Sequence, residues 1–232
     1  MKIGFDLISD LNLTPEDSFN WEGKVTSLYC IVAGNVSTDV NKIVETLTHL
    51  GKLYQGVFYI MGPLEFEGTN NIEKRTIDIL TTCRHIRNVA VLYRHVVIID
   101  GIAVLAANGW LGSSLFDFIN NEEKITFSRY EDIAYLKNSI EKLQTHLDVK
   151  KIVVVSSAVP HPNLYFGQVP EIVQAQVPMN ICLVTDTQHK VSHWVYGTHD
   201  KNVDAEINNI TYINNASYQR QNYWAKRFEV ML

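Results

Sequence analysis

Residues 151–162 read KIVVVSSAVPHP. The run Ile152 to Val155 is apolar without interruption and wholly β-branched, the pattern of a strand buried on both faces, since a strand with one wet face would alternate. Ser156 and Ser157 close it, and Pro160, which has no amide hydrogen for a ladder, keeps the chain from resuming. Upstream, Ile133, Leu136, Ile140, Leu143 and Leu147 step by three and four along a long amphipathic helix. Ser128 with Glu131 three positions later forms a capping box for its start. A helix running into a buried strand is the unit of a layered α/β fold.

The same unit recurs on the N-terminal side. Lys2 to Ile8 and Ser27 to Val32 read as buried strands, and Val40, Ile43, Val44, Leu47 and Leu50 recur at helical spacing until Gly51, expected as the residue just past the helix. Gly56 to Met61 is a third buried strand. Asn70 with Glu73 caps a second helix carrying Ile72, Thr76, Leu80 and Cys83 and ending near Asn88. Val89 to Leu92, Val96 to Ile99 and Ile102 to Ala107 follow as short strands, the last two joined at Asp100-Gly101, a dipeptide favoured in two-residue hairpins. Beyond the central strand come His193 to Tyr196, Asn209 to Ile213 and Arg227 to Val230, the last expected at a sheet edge. With no internal repeat and no linker rich in Pro, Gly or Ser, the expectation is one domain over residues 1–232, a sandwich of two mixed β-sheets flanked by helices.

Composition narrows the function classes. A chain of 232 residues with 46% hydrophobic residues can bury a sizeable core, which excludes disordered and collagen-like classes. The net charge of −5 argues against a surface that coats nucleic acid, because phosphate is held by excess Lys and Arg. Arg84, His85, Arg87, Arg94 and His95 give a local positive stretch, read as a solvated face. The apolar stretch Val89 to Leu111 is broken by Arg94, His95 and Asp100, so no membrane span is expected. Asp6 and Asp10 interrupt any export signal, and Cys30, Cys83 and Cys182 are widely spaced among apolar neighbours, consistent with buried thiols in a cytoplasmic, non-secreted protein. The abundance of Asn with Lys and Ile suits an AT-rich source such as a bacteriophage genome. No Walker A sequence, Rossmann glycine fingerprint or nucleophile elbow is present.

In α/β sheets ligands bind in loops beyond the carboxyl ends of strands. Five such stations are Ser9-Asp10-Leu11-Asn12, Gly34-Asn35, Gly62-Pro63-Leu64-Glu65, Ser156-Ser157-Ala158-Val159-Pro160 and Gly197-Thr198-His199-Asp200. Singly each is ordinary turn chemistry. In order and spacing the chain resembles the calcineurin-like metallophosphoesterases, whose blocks run D-x-H, G-D, G-N-H-E or G-N-H-D, T-H-H-x-P and G-H-x-H. Ala107-Asn108-Gly109-Trp110 and Asn214-Asn215-Ala216-Ser217-Tyr218 add flanking similarities, and the resemblance extends from Lys2 to about Tyr218.

The resemblance implies a two-metal hydrolase site, and the departures from it fall on the ligands. One metal would need Asp10, Asn12, Asn35 and Asp200; the other would need Asn35, Pro63, Ser157 and Thr198. Only Asp10 keeps the family's residue type. The bridging carboxylate is Asn35, the ligand imidazoles are Asn12, Ser157, Thr198 and Asp200, and Pro63 has no side-chain donor. Leu64 stands where the leaving-group acid belongs, although Glu65 survives, and Ala158 fills out the fourth block. Two divalent ions repel unless a shared carboxylate or hydroxide offsets them, which neutral oxygens cannot do. The expectation is a site without the metal pair and a binding, adaptor or assembly role, with a protein partner or self-association. The alternative is a phosphate-ester hydrolase rewired around one Mg²⁺, Mn²⁺ or Ca²⁺ at Asp10, Asn12, Asn35 and Asp200. His199, at a variable position, is expected to be an ordinary histidine. Ser156 and Ser157 near His161 are read as loop replacement rather than a nucleophile and base. The run Tyr218, Tyr223, Trp224 and Phe228 with Arg220, Lys226 and Arg227 is either an interface or an amphipathic closing segment.

Overall fold

The computed structural model describes residues 1–69, 71–109, 122–164, 190–198, 201–216 and 224–232. Strands β1 (Lys2–Ile8), β2 (Tyr29–Ala33), β3 (Gly56–Ile60) and β4 (Val89–Val91) run parallel in the first sheet, with β11 (Lys226–Met231) antiparallel along β1 at the edge. The second sheet has the order β5 (His95–Ile99), β6 (Ile102–Ala106), β7 (Lys151–Ser156), β8 (Val191–Tyr196), β10 (Ile210–Asn214), β9 (Asp204–Ile207). Its four central strands are parallel and its two edge strands antiparallel. Both sheets are mixed, as expected.

Strand alternation builds the layers. Ile31 and Ala33 of β2 join Phe5, Leu7, Phe58 and Ile60, and they meet Val104, Ala106, Val153, Val155 and Val195 of the opposite sheet between the two sheets. Cys30 and Val32 point the other way, onto Ile43, Leu47 and Leu50 of α1 (Val40–Leu53) and Ile79 and Cys83 of α2 (Ile72–Cys83). Ala103, Leu105, Ile152 and Val154 pack on Leu136, Ile140 and Leu143 of α3 (Glu122–Thr145). Each of the Val, Leu, Ile and Phe side chains so withdrawn from water stabilises the fold by roughly 1.5–3 kcal/mol. Among the described residues no helix is long and apolar enough to cross a membrane.

Local chemistry corrects several boundaries. Helix α1 passes through Gly51 and ends at Tyr54, whose amide donates to the Leu50 carbonyl. Gly51 is there for clearance, because a Cβ would stand 2.5 Å from the Arg87 carbonyl oxygen. Asp39 caps this helix by accepting from the Asn41 amide. Asn71, accepting from the Lys74 amide, caps α2, and Asn70 lies outside the described residues. Helix α3 already runs from Glu122, so Ser128 lies within it and is no cap, while Leu147 falls beyond its end and is exposed. Strand β2 starts at Tyr29, two residues after the expected Ser27. Asn208 and Asn209, with φ of 52° and 62°, form the turn joining β9 to β10, so Asn209 is not in the strand. Asp100 and Gly101, at 48° and 83°, make the expected hairpin turn.

The positive stretch is not uniformly a solvated face. Arg94 donates from Nε to Oδ1 of the buried Asp132 at 2.6 Å and pairs through Nη1 with Glu131 at 2.8 Å. The C-terminal aromatic run divides: Phe228 is buried and stacks on Phe5 at 5.3 Å, Trp224 is half-exposed, and Tyr218, Arg220 and Tyr223 lie outside the described residues. Cys30 and Cys83 are buried thiols, and Cys182 is outside the described residues.

Candidate functional site

The ends of β1, β2, β3, β7 and β8 meet at one edge of the sandwich. Glycine makes the approach possible. A Cβ on Gly197 would sit 2.0 Å from the Ala33 carbonyl oxygen, so the loop after β8 touches the first sheet there. A Cβ on Gly62 would sit 2.5 Å from Asn35 Oδ1. Backbone bonds draw the first two loops together, with Asp10 N donating to the Gly34 carbonyl and Asn12 N to the Asn35 carbonyl at 2.9 Å.

Asp10, Asn12, Asn35 and Thr198 all adopt positive φ, at 54°, 48°, 57° and 51°. Asn and Asp tolerate this region, whereas a β-branched Thr is an outlier there, at a cost of order 1–3 kcal/mol. What turns Thr198 is its amide, which donates to Asp10 Oδ1 at 3.1 Å.

The side chains form one continuous network. Asn35 Nδ2 donates to Asp10 Oδ1 at 2.7 Å and to Thr198 Oγ1 at 3.2 Å. Thr198 Oγ1 lies 3.1 Å from Ser157 Oγ. Asn35 Oδ1 accepts from the Leu64 amide at 2.9 Å. This last bond assigns the orientation of the Asn35 carboxamide, since a flipped group would set an NH₂ against the Leu64 N–H and an oxygen against the Asp10 carboxyl.

Pro63 opens a 3₁₀ turn, Pro63–Phe66, that presents Leu64 N to Asn35 and turns Glu65 inward. Glu65 is fully buried and accepts from Asn35 N, Val36 N, Gly62 N and the Tyr59 hydroxyl at 2.8–3.0 Å. Burial nevertheless pushes its carboxyl up to about 7. Asp10 is likewise pushed up to about 6 by burial, against the hydrogen bonds from Asn35, Ser9 and Thr198. Its geometry suits a neutral carboxyl. Ser9 Oγ lies 2.8 Å from Asp10 Oδ2 and 2.7 Å from the Asn215 carbonyl, two acceptors for one hydroxyl proton. A proton on Asp10 Oδ2 donated to Ser9 Oγ leaves the Ser9 proton for Asn215 and satisfies all three groups.

Of the residues expected at the site, Asp10, Asn35, Leu64, Ser157 and Thr198 are linked directly, and Asn12 is exposed at its rim. Glu65 stands one step behind, and Ala158 faces the α3 side, in the cluster of Leu136 and Trp194. Asp200 and His199 lie outside the described residues. Ser156 is a packing group, donating to the Ala158 carbonyl and accepting from Trp194 Nε1. His161 packs against Tyr212 and accepts from Asn163 N at Nδ1. Among the described residues no three His, Cys, Asp or Glu side chains converge as a metal-ligating group. Sequence reasoning named Ser9 and Asn215 only as members of matched blocks and missed that they pair, Ser9 Oγ lying 2.7 Å from the Asn215 carbonyl oxygen. It also missed Asp132, which holds Gly109 N at 2.8 Å beneath the loop after β6.

No family model matches the chain, and no curated protein matches it in sequence. Solved structures do match in shape. Phosphopantetheinyl hydrolase from Mycobacterium tuberculosis superposes with a TM-score of 0.63 at 15% identity, covering 98% of this chain and 96% of that one. GAP50, the anchor in the inner membrane complex of Plasmodium, gives 0.58 at 11% identity over 94% of this chain and 72% of its own. A Staphylococcus aureus protein described as a 5′-nucleotidase gives 0.54 at 12% identity; this chain covers 92% of itself but only 48% of that chain. At these identities the likeness is one of fold: the chain has the metallophosphoesterase-like sandwich of two mixed sheets flanked by helices.

Proposed function

We propose that this chain is a phosphoesterase-fold protein that works by binding rather than by two-metal hydrolysis. The observation that carries this reading is the Asn35 carboxamide, which presents its NH₂ to Asp10 at 2.7 Å while its oxygen is held by Leu64 N. A cation bridging these residues would face N–H hydrogens in place of the oxygens that hard divalent ions require. Asp10 Oδ1 already accepts two donors and its Oδ2 faces Ser9, so the residues present do not fit the metal pair that the fold family implies. Pro63 adds no donor atom. An anchoring role has a precedent in the fold, since GAP50 is described as an anchor.

A second reading, a hydrolase around one hard ion, rests on Asp10 with Asp200 and the amides of Asn12 and Asn35. It requires Asn35 to turn its oxygen toward Asp10 and give up the Leu64 bond. Calorimetric titration separates the two. The binding reading expects no site for Mg²⁺, Mn²⁺ or Ca²⁺ tighter than ~1 mM; a stoichiometric isotherm abolished by Asp10→Ala would establish the single-ion reading instead.

A further inference from the structure

We infer that the Asn108 carboxamide, with the hydroxyls of Ser157 and Thr198, recognises an uncharged ligand bearing a hydrogen-bond donor beside an acceptor, the edge that a nucleobase or a carboxamide offers. The inference rests on the binding reading above and names the chemistry of what is bound.

Asn108 is 2% exposed, and among the described residues neither its Nδ2 nor its Oδ1 has a hydrogen-bond partner. Buried amides are rarely left in that state, because they lose water at both ends without replacement. Its buried neighbours in the fold use both ends. Asn35 bonds Asp10 and Leu64, and Asn214 accepts from Val203 N while donating to the Lys201 carbonyl. Asn108 alone among these three holds a donor and an acceptor in reserve.

Its place in the sheet connects it to the site. Ala106 of β6 and Val155 of β7 are register partners, and both face the core between the sheets. Two residues further along each chain stand Asn108 and Ser157, and the amides of Ser157 and Ala158 both donate to the Asn108 carbonyl at 3.1 Å. Ser157 Oγ is in turn 3.1 Å from Thr198 Oγ1, and Thr198 is partly exposed. The backbone therefore sets Asn108 beside Ser157, and Ser157 beside Thr198.

Charge selects a neutral ligand. Asp10 and Glu65 are the acids on the first-sheet side; ionised they repel an anion, and neutral they offer it no counter-charge. Arg94, which shares Asp132 with the loop carrying Asn108, is engaged by Asp132 and Glu131. Hydroxyls and a carboxamide have no fixed charge and can each donate and accept, and an Asn carboxamide matches a donor-acceptor edge with two parallel bonds.

The test titrates the full chain calorimetrically with adenosine, uridine, nicotinamide and, separately, inorganic phosphate. Binding of a nucleoside or of nicotinamide tighter than ~1 mM is expected, and which of them binds assigns the edge to a base or to a carboxamide. Asn108→Leu removes both polar ends at similar volume, so it should weaken that binding ~10-fold or more while leaving the melting temperature unchanged or raised, since it also removes an unsatisfied buried amide. Ser157→Ala is the second variant, expected to weaken binding several-fold without loss of folding. No measurable binding of the three neutral probes, binding of phosphate only, or wild-type affinity in both variants overturns the inference. Hydrolysis of a phosphate ester by the wild-type chain would overturn the binding reading and would not alter these isotherms.

Discussion

A single substitution at Asn35 probes the hydrogen-bonded site directly, because its carboxamide joins Asp10 to Leu64 N. In Asn35→Asp the 2.7 Å contact with Asp10 becomes a pair of carboxyls that must share a proton. The variant should lose on the order of 2–4 kcal/mol in urea unfolding at pH 8, much less at pH 5, and regain stability on adding Mn²⁺. The wild-type chain carries the same sign in weaker form. Asp10 rises from 3.8 to about 6 and Glu65 from 4.5 to about 7 in the fold, so the native state binds more protons than the unfolded chain across that interval. The stability these two groups contribute is fully present below about pH 4 and is lost as pH rises from there through 6 and 7. Asp10→Asn keeps the arrangement of the neutral acid, with its NH₂ toward Ser9 and its oxygen toward Asn35 and Thr198. It should remove Asp10's share of the pH dependence, leaving that of Glu65, and be more stable than wild type at pH 8 by about 2 kcal/mol. Urea midpoints at pH 5 and pH 8 check both. The residue types at the site were legible in the sequence. The direction of the Asn35 amide was not, because it is set by Leu64 N, a backbone group that no side-chain pattern encodes.

Elements meet at few but demanding contacts. Asp132 on α3 accepts from Arg94 Nε and from Gly109 N, tying the helix to the loops that follow β4 and β6. Burial holds its carboxyl up at about 6 even with Arg94 beside it. Arg94→Ala leaves an uncompensated buried acid and should cost about 3 kcal/mol at pH 8, with partial recovery at pH 5 where the acid is neutral; chemical denaturation at the two values decides. Gly197→Ala drives a methyl into the Ala33 carbonyl of the opposite sheet, for which the expected outcome is loss of more than ~4 kcal/mol or failure to fold, seen as insoluble expression. Strands with long β-branched runs, such as Ile152 to Val155, and the Asp100-Gly101 hairpin were readable from the sequence because their signals are local. Helix ends were misplaced at Gly51 and Ser128, where close packing against Arg87 and an earlier start outweighed cap chemistry. Strand β9 escaped because Asp204 to Ile207 is a short, half-exposed edge with little apolar content.

At the scale of the whole molecule, order along the chain carried more than identity. Five loops separated by up to 188 residues, as Asp10 and Thr198 are, come within hydrogen-bond reach of one another or one step removed. Their sequence order after successive strands is what revealed the sandwich, and the solved structures share that architecture at 11–15% identity. Such identities leave chemistry open, and chemistry resides in the site. The measurement that bears on it most directly is turnover of phosphomonoester, phosphodiester and cyclic-nucleotide substrates by the full chain with Mn²⁺, Ni²⁺ and Mg²⁺ in turn. A binding protein with Asn35 donating to Asp10 should show no turnover above the metal-only blank; turnover approaching the ~1 s⁻¹ of ordinary enzymes, abolished by Asp10→Ala, would contradict it.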